Sequence, residues 1–332
     1  MHNLQKKRTL RHFGVDQKGV YRGKMHELYM SDLKDAIDQQ NLISLIGSFG
    51  SGKTTLFDFL EQDLTDRINT RYEFVRVQNT HKEKMTIAGI TDAIIYDLSK
   101  ETPKRSMEAR TRQLARIGGE KHVKNNKKIC VIIENAHRIH ANTLMAVKDL
   151  MECKYLGRSP LFSVALIGHG NLRNKLAKWE EVLWRTLILD LERSGWMSYN
   201  ERRKYLKAVY GKAITPEARD RIALRTRVPL EMEFYLNEKM EEAKHAGKDV
   251  IDGEVVAATL QQRYQALKKT GESVSYNRIS EISGVPKSSV GDTIKGKSDT
   301  HRDKVQQAID ELEAELRGDD TDSNSNIQSK AG

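Results

Sequence analysis

Cysteine is scarce in this chain. There are two in 332 residues, Cys130 and Cys153, far apart and without CxxC spacing. That argues against a disulfide framework and a cysteine-rich metal site, and for a reducing compartment. Long apolar runs are also missing, and none approaches the length needed to cross a bilayer. The opening stretch "MHNLQKKRTLRHFG" is basic but lacks the apolar segment of a signal peptide. There is no internal repeat and no Ser/His/Asp spacing. His137 and His140 are three apart, with no carboxylate or third histidine arranged beside them, so they read as ordinary residues rather than metal ligands. Trp179, Trp184 and Trp196 read as packing residues. The expectation is a cytoplasmic protein with no membrane partner.

Positive charge is plentiful. The net charge is +10, and 31% of residues are charged against 38% hydrophobic. That balance favours a polyanionic partner, nucleic acid before membrane, over a merely soluble basic protein.

Apolar runs bounded by turn residues mark four strands: "NLISLIG", "YEFVRVQ", "KICVIIE" and "LFSVALIG". Helical spacing falls between them in "KTTLFDFLEQDL", "TIAGITDAIIYDLSK" and "ANTLMAVKDLMEC", with a further helix expected from Ser31. This alternation predicts an α/β domain with a parallel sheet covered on both faces. After about residue 195 only helical patterns remain. Ser198 and Glu201 make a capping-box pair, and Thr215–Pro216 a helix start. "LEMEFYLNEKMEEAKHAG", closed by Gly247, and "GEVVAATLQQRYQAL" predict two more helices. The expected organisation is an N-terminal arm (1–30), an α/β core (31–194), a helical lid (195–266), an all-α helix-turn-helix domain (267–316) and a disordered tail (317–332).

"GSFGSGKT", residues 47 to 54, matches the phosphate-loop pattern without departure, between a strand and a helix. Gly47, Ser48, Phe49, Gly50, Ser51 and Gly52 supply backbone N–H groups for phosphates. Lys53 adds a charge near the β- and γ-phosphates, Thr54 offers a hydroxyl to Mg²⁺, and Thr55 continues the helix start. The acid expected at the end of a neighbouring strand is Glu134. The next residue, which usually positions or polarises the attacking water, is Asn135. An amide can hydrogen-bond water but cannot take its proton. Tight binding of ATP and Mg²⁺ with slow hydrolysis is expected. A second register would make Glu134 the water-activating group and leave Ile133 at the metal.

"VIIENAHRI" resembles the hhhDEAH signature of AAA+ ATPases, and "FSVALIGHGNLRNKL" resembles the sensor-1 segment of the branch holding Mu B, TnsC/TniB transposition regulators and ExeA-like ATPases. The likeness covers about residues 20 to 245. It implies a P-loop AAA+ sheet, His169 as the sensor of the γ-phosphate with Asn171 as runner-up, and Arg185 as an arginine finger completing a neighbour's site. The family's G-x-P-R sensor-2 pattern reads "RVPL" here, with Leu230 in the arginine's place and Arg225 or Arg227 as substitutes. Both departures, Asn135 and Leu230, point to a nucleotide-gated switch with feeble turnover.

Two segments suit DNA. Residues 100 to 128 carry ten Lys/Arg against three Glu, and a helix from Ser106 would put Arg105, Arg112 and Arg116 on one side, with Lys121 beyond. An ordinary solvated helix is the other reading. "SYNRISEISGVPKSSVGDTIKGK", residues 275 to 297, has helix-turn-helix spacing and resembles the LacI-group DNA-binding head, with Lys287, Ser288 and Ser289 opening the second helix. A protein-binding three-helix module is its alternative. The resemblance implies an ATP-dependent regulator of transposition. It would oligomerise as a filament or ring on double-stranded DNA and engage an integrase-type transposase, with weak ATPase activity as an assembly switch. A helicase-loader motor and a defence or signalling switch are the rivals.

Overall fold

The computed structural model describes residues 21–65, 71–77, 85–179, 186–194, 196–253, 255–256, 260–269 and 274–328, with side chains to residue 315. The chain forms two units. One is Lys24–Trp196; the other takes in the described parts of Met1–Gly23 and Met197–Gly332. Among the described residues no helix is long and apolar enough to cross a membrane.

The first unit is built on five parallel strands: β1 (Leu42–Ile46), β2 (Tyr72–Arg76), β3 (Lys128–Glu134), β4 (Ser163–Gly168) and β5 (Thr186–Asp190). Their order is β2-β3-β4-β1-β5. The three central strands are almost wholly buried, as parallel strands covered on both faces must be. Its helices are α1 (Lys24–Asp38), α2 (Lys53–Thr65), α3 (Ile87–Ser99), α4 (Met107–Gly119), α5 (Ala141–Met151) and the short α6 (Asn171–Leu176). Leu42 and Ile46 of β1, Ile129, Val131 and Ile133 of β3, and Val164 and Leu166 of β4 share one core with α3, α4 and α5. Alternation sends Ile43, Leu45, Cys130, Ile132 and Ala165 to the opposite face, where α1 and α2 pack.

Thr86 caps α3 and Ser106 caps α4, each accepting a backbone N–H three residues on. Three expectations change. Helix α1 begins at Lys24 rather than Ser31, because Tyr29 and Met30 extend the buried face of Leu33, Ala36 and Ile37 back by a turn. The strand β5 and the helix α6 were not expected. The run "TLILD" of β5 sits at a sheet edge, where only Leu189 is fully buried and the apolar signal is short.

The second unit holds α7 (Tyr199–Tyr210), α8 (Pro216–Arg225), α9 (Pro229–His245), α10 (Leu260–Lys269), α11 (Tyr276–Ser283), α12 (Lys287–Ile294) and α13 (Arg302–Gln328). Ser198 caps α7, but Glu201 does not complete the expected box. Its carboxylate instead accepts from Tyr21 Oη (2.8 Å) and Lys204 Nζ (2.7 Å). Helix α10 starts at Leu260, later than the sequence suggested, since Val255 and Val256 form a turn. Gly284, at φ 65°, links α11 to α12 as a helix-turn-helix requires. Leu260, Tyr264 and Leu267 of α10 join Ile279, Val290, Ile294, Val305 and Ile309 in one core, so that core begins upstream of residue 267. Helix α13 runs to Gln328, over residues expected to be a disordered tail, because extending an anchored helix costs far less than starting one.

Candidate nucleotide site

The loop between β1 and α2 has the shape its sequence demands. Gly50 and Gly52 take φ values of 77° and 90°, left-handed conformations that glycine adopts without steric cost. A Cβ on Gly47 would lie 2.7 Å from Ser51 Oγ. Ser51 is buried, and its carbonyl accepts a 2.8 Å bond from Trp196 Nε1. The Trp196 ring packs in turn against His26 and Tyr29, with centroids 4.3 and 5.2 Å away. Sequence reading took Trp196 as packing alone; its indole also pins the loop from beneath. Phe49 stands out into solvent, 82% exposed.

Lys53 opens α2 and folds inward. Its ammonium donates to Gly47 O (3.0 Å), Ser48 O (2.7 Å) and Ser51 Oγ (3.2 Å). Burial pulls its pKa below the usual lysine value, with Glu192 opposing. Thr54 and Thr55 follow on the first helical turn, both exposed.

Strand β4 lies between β1 and β3, so His169, the residue after β4, sits between the phosphate loop and Glu134. Glu134 closes β3 and accepts a 3.1 Å bond from Arg76 at the end of β2. Arg76 also bonds Asp58 (2.5 Å) and Glu61 (2.8 Å) of α2, a cluster the sequence did not reveal. Ile133 is fully buried in the opposite core, which rules out the register that placed it at a metal.

Asn135 is exposed and left-handed, at φ 53° and ψ 34°, and begins the 3₁₀ turn Ala136–Arg138. Asparagine is among the few residues that visit this conformation readily, so the amide suits the backbone as well as the chemistry. His137, expected to be ordinary, belongs to the site. His169 N donates to His137 Nδ1 (3.3 Å), and the rings lie 6.1 Å apart. With Nδ1 accepting, neutral His137 carries its proton on Nε2. Lys175 Nζ fixes this turn through His137 O (2.6 Å) and Ile139 O (2.8 Å). Burial, followed by His169, Lys175, Arg138 and Lys53, depresses the His137 pKa.

Asn171 begins α6, and Arg173 two residues on forms an ion pair with Asp190 at the end of β5. Arg185 lies outside the described residues. In the second unit, Arg225 bonds Tyr235 Oη, whereas Arg227 is exposed at the approach to α9. Leu230 is half-buried on α9.

The expected DNA residues are placed unevenly. Arg112 pairs with Glu108, Arg116 with Glu101 (2.6 Å) and Glu120 (3.3 Å), and Lys121 with Glu73 (2.6 Å). Arg105 precedes the α4 cap and is exposed, without an ion pair among the described residues. On α12, Lys287 and Ser288 are exposed and Ser289 is half-buried.

These groups fit a magnesium-bound nucleoside triphosphate. The loop has the open glycine conformation, its half-buried ammonium bonds acceptors that phosphate oxygens can replace, and one carboxylate closes β3, beyond β4 in the sheet. Thr54 and Glu134 would hold the metal, which would neutralise phosphate charge.

Comparisons with known proteins bear on the fold. Residues 36–176 match the AAA domain family. No curated protein matches the chain. Among solved structures, Cdc6p from Pyrobaculum aerophilum aligns with a TM-score of 0.51 at 13% identity, over 92% of this chain and 84% of that one. The ORC2 protein of Aeropyrum pernix, in ADPNP-ADP complexes, gives 0.46 at 15% identity, over 85% and 77%. The RuvB Holliday junction branch migration motor of Thermotoga maritima gives 0.43 at 15%, over 89% and 88%. Residues 36–176 are thus similar to the AAA domain, and the chain shares the P-loop AAA+ fold.

Proposed function

We propose that this chain is an ATP-dependent, largely sequence-nonspecific DNA-binding regulator of DNA transposition. ATP and Mg²⁺, held by residues 47–55 and Glu134, promote assembly of a homo-oligomer, as a filament or ring, on target DNA. The assembly then recruits or activates a transposase of the integrase type. His169 reads the γ-phosphate, and Arg185 completes the neighbouring protomer's site.

One observation carries the reading. An exposed amide, Asn135, stands beside Glu134 where a water-activating acid is expected. Such a site holds its triphosphate long enough for an assembly to persist. The net charge of +10 supports a polyanionic track.

Electron microscopy with duplex DNA is the test. Nucleotide-dependent polymers are expected with ATP and not with ADP, and Lys53→Ala should abolish both ATP affinity and polymers. Identical behaviour in ATP and ADP overturns the proposal. Fast DNA-stimulated turnover would instead mark a motor.

A further inference from the structure

The connection between α5 and β4 contains a two-residue hairpin turn. Tyr155 and Arg158 exchange both backbone bonds, each N–H to the other's carbonyl at 3.0 Å. At the tip, Leu156 and Gly157 have φ values of 49° and 75°. Two positive φ values are the signature of a type I′ turn, whose preferred pair is Asn-Gly. Leucine is a poor choice there, since its Cβ crowds the following carbonyl in left-handed backbone. It is also 75% exposed, so folding gains nothing from burying it. Lys154 and Arg158 flank the tip, both exposed and without an ion pair among the described residues.

The base of this hairpin is firm. Cys153 and Leu161 are buried on either side of it. The Tyr155 ring presses on Gly119, where a Cβ would come within 2.0 Å of Tyr155 Cγ. The same contact sets the hairpin beside the end of α4 and the turn Glu120–Lys124, where Lys124 is exposed and also unpaired among the described residues. A strained apolar tip on a rigid stalk, between free cations, has the form of a probe for something anionic outside and apolar inside. A duplex minor groove, with phosphates along its rims and base edges on its floor, has that chemistry.

We propose that the hairpin 154–158 is a DNA-contacting element, with Lys154 and Arg158 on phosphates and Leu156 lodged in the minor groove. The inference rests on the DNA-binding reading above and deepens it. It moves the contact away from Arg112, Arg116 and Lys121, which acids already neutralise, to the end of the sheet where β4 begins, opposite the phosphate loop.

The test uses the full chain with ATP and a fluorescein-labelled duplex of arbitrary sequence, read by anisotropy between about 50 and 200 mM salt. Leu156→Asn installs the preferred turn pair, so its melting temperature should hold or rise. Its duplex affinity should nonetheless fall about fivefold or more, as for an anchoring contact. Replacing Lys154 and Arg158 together by alanine should flatten the log–log salt slope by about two units. Unchanged affinity and slope in variants of a chain that binds DNA would overturn the hairpin's role and leave the broader reading standing. A wild-type chain with no duplex affinity would overturn both.

Discussion

Asn135 offers the sharpest test of how backbone and chemistry divide at this site. Its side chain is exposed, so a larger replacement meets no packing. Its φ of 53° is the whole structural cost of change. Glutamate there should lose about 1–2 kcal/mol from left-handed strain. At roughly 2–4 °C per kcal/mol for a unit of this size, the melting temperature should drop by several degrees. Glycine accepts the conformation freely but enlarges the unfolded ensemble by about 0.4–1 kcal/mol, so it should melt close to wild type. Turnover should order differently. Glutamate supplies a proton acceptor and should raise ATP hydrolysis, with about 10²–10⁴-fold as the range open to a general base. Glycine supplies nothing and should not. Differential scanning fluorimetry and a phosphate-release assay on the three proteins read both orders. If glycine melts as low as glutamate, the backbone reasoning fails. If glutamate leaves turnover unchanged, the account of the amide fails.

Arg76→Ala should leave Asp58, Glu61 and Glu134 facing one another unneutralised. A loss of about 1–3 kcal/mol, discounted for partial exposure, should appear in a melt and shrink when Mg²⁺ is added; a deficit indifferent to Mg²⁺ would argue against metal binding at Glu134. Gly119→Ala must push its methyl into the Tyr155 ring rather than a flexible chain end, so about 1–3 kcal/mol of overpacking is expected by chemical denaturation. The depressed His137 pKa gives a sign for pH. Above 6.5 both folded and unfolded histidine are neutral and its contribution is complete. As pH falls below 6.5 the unfolded chain takes up the proton first, so stability declines until the folded pKa is passed. His137→Gln should flatten that decline between wild-type and variant melting curves; parallel curves would refute it.

Patterns of short range carried most of what could be read from residues alone. The phosphate loop was legible because glycine spacing, a preceding buried run and a following helix coincide within twenty residues. Ser106 as a cap and Gly284 as a turn were legible for the same reason. Contacts that depend on tertiary closure were not. Nothing in the spacing of Arg76, Asp58, Glu61 and Glu134 shows that three elements bring them together. His137 looked idle because its partner His169 is on another strand's exit. The cationic segment shows the same limit: its charges were counted correctly, but a count does not show that Glu73, Glu101, Glu108 and Glu120 sit against three of its four chosen residues.

The ion pair between Arg173 and Asp190 ties the helix after β4 to the last residue of β5. Asp190 also receives the backbone N–H groups of Glu192 and Arg193, so its carboxylate is a fixed post rather than a swinging one. Any displacement of His169 that drags α6 therefore pulls on β5, and β5 begins at the residue after Arg185. If His169 is the phosphate sensor proposed above, this pair is the route by which its movement would reach the strand that follows Arg185 in sequence.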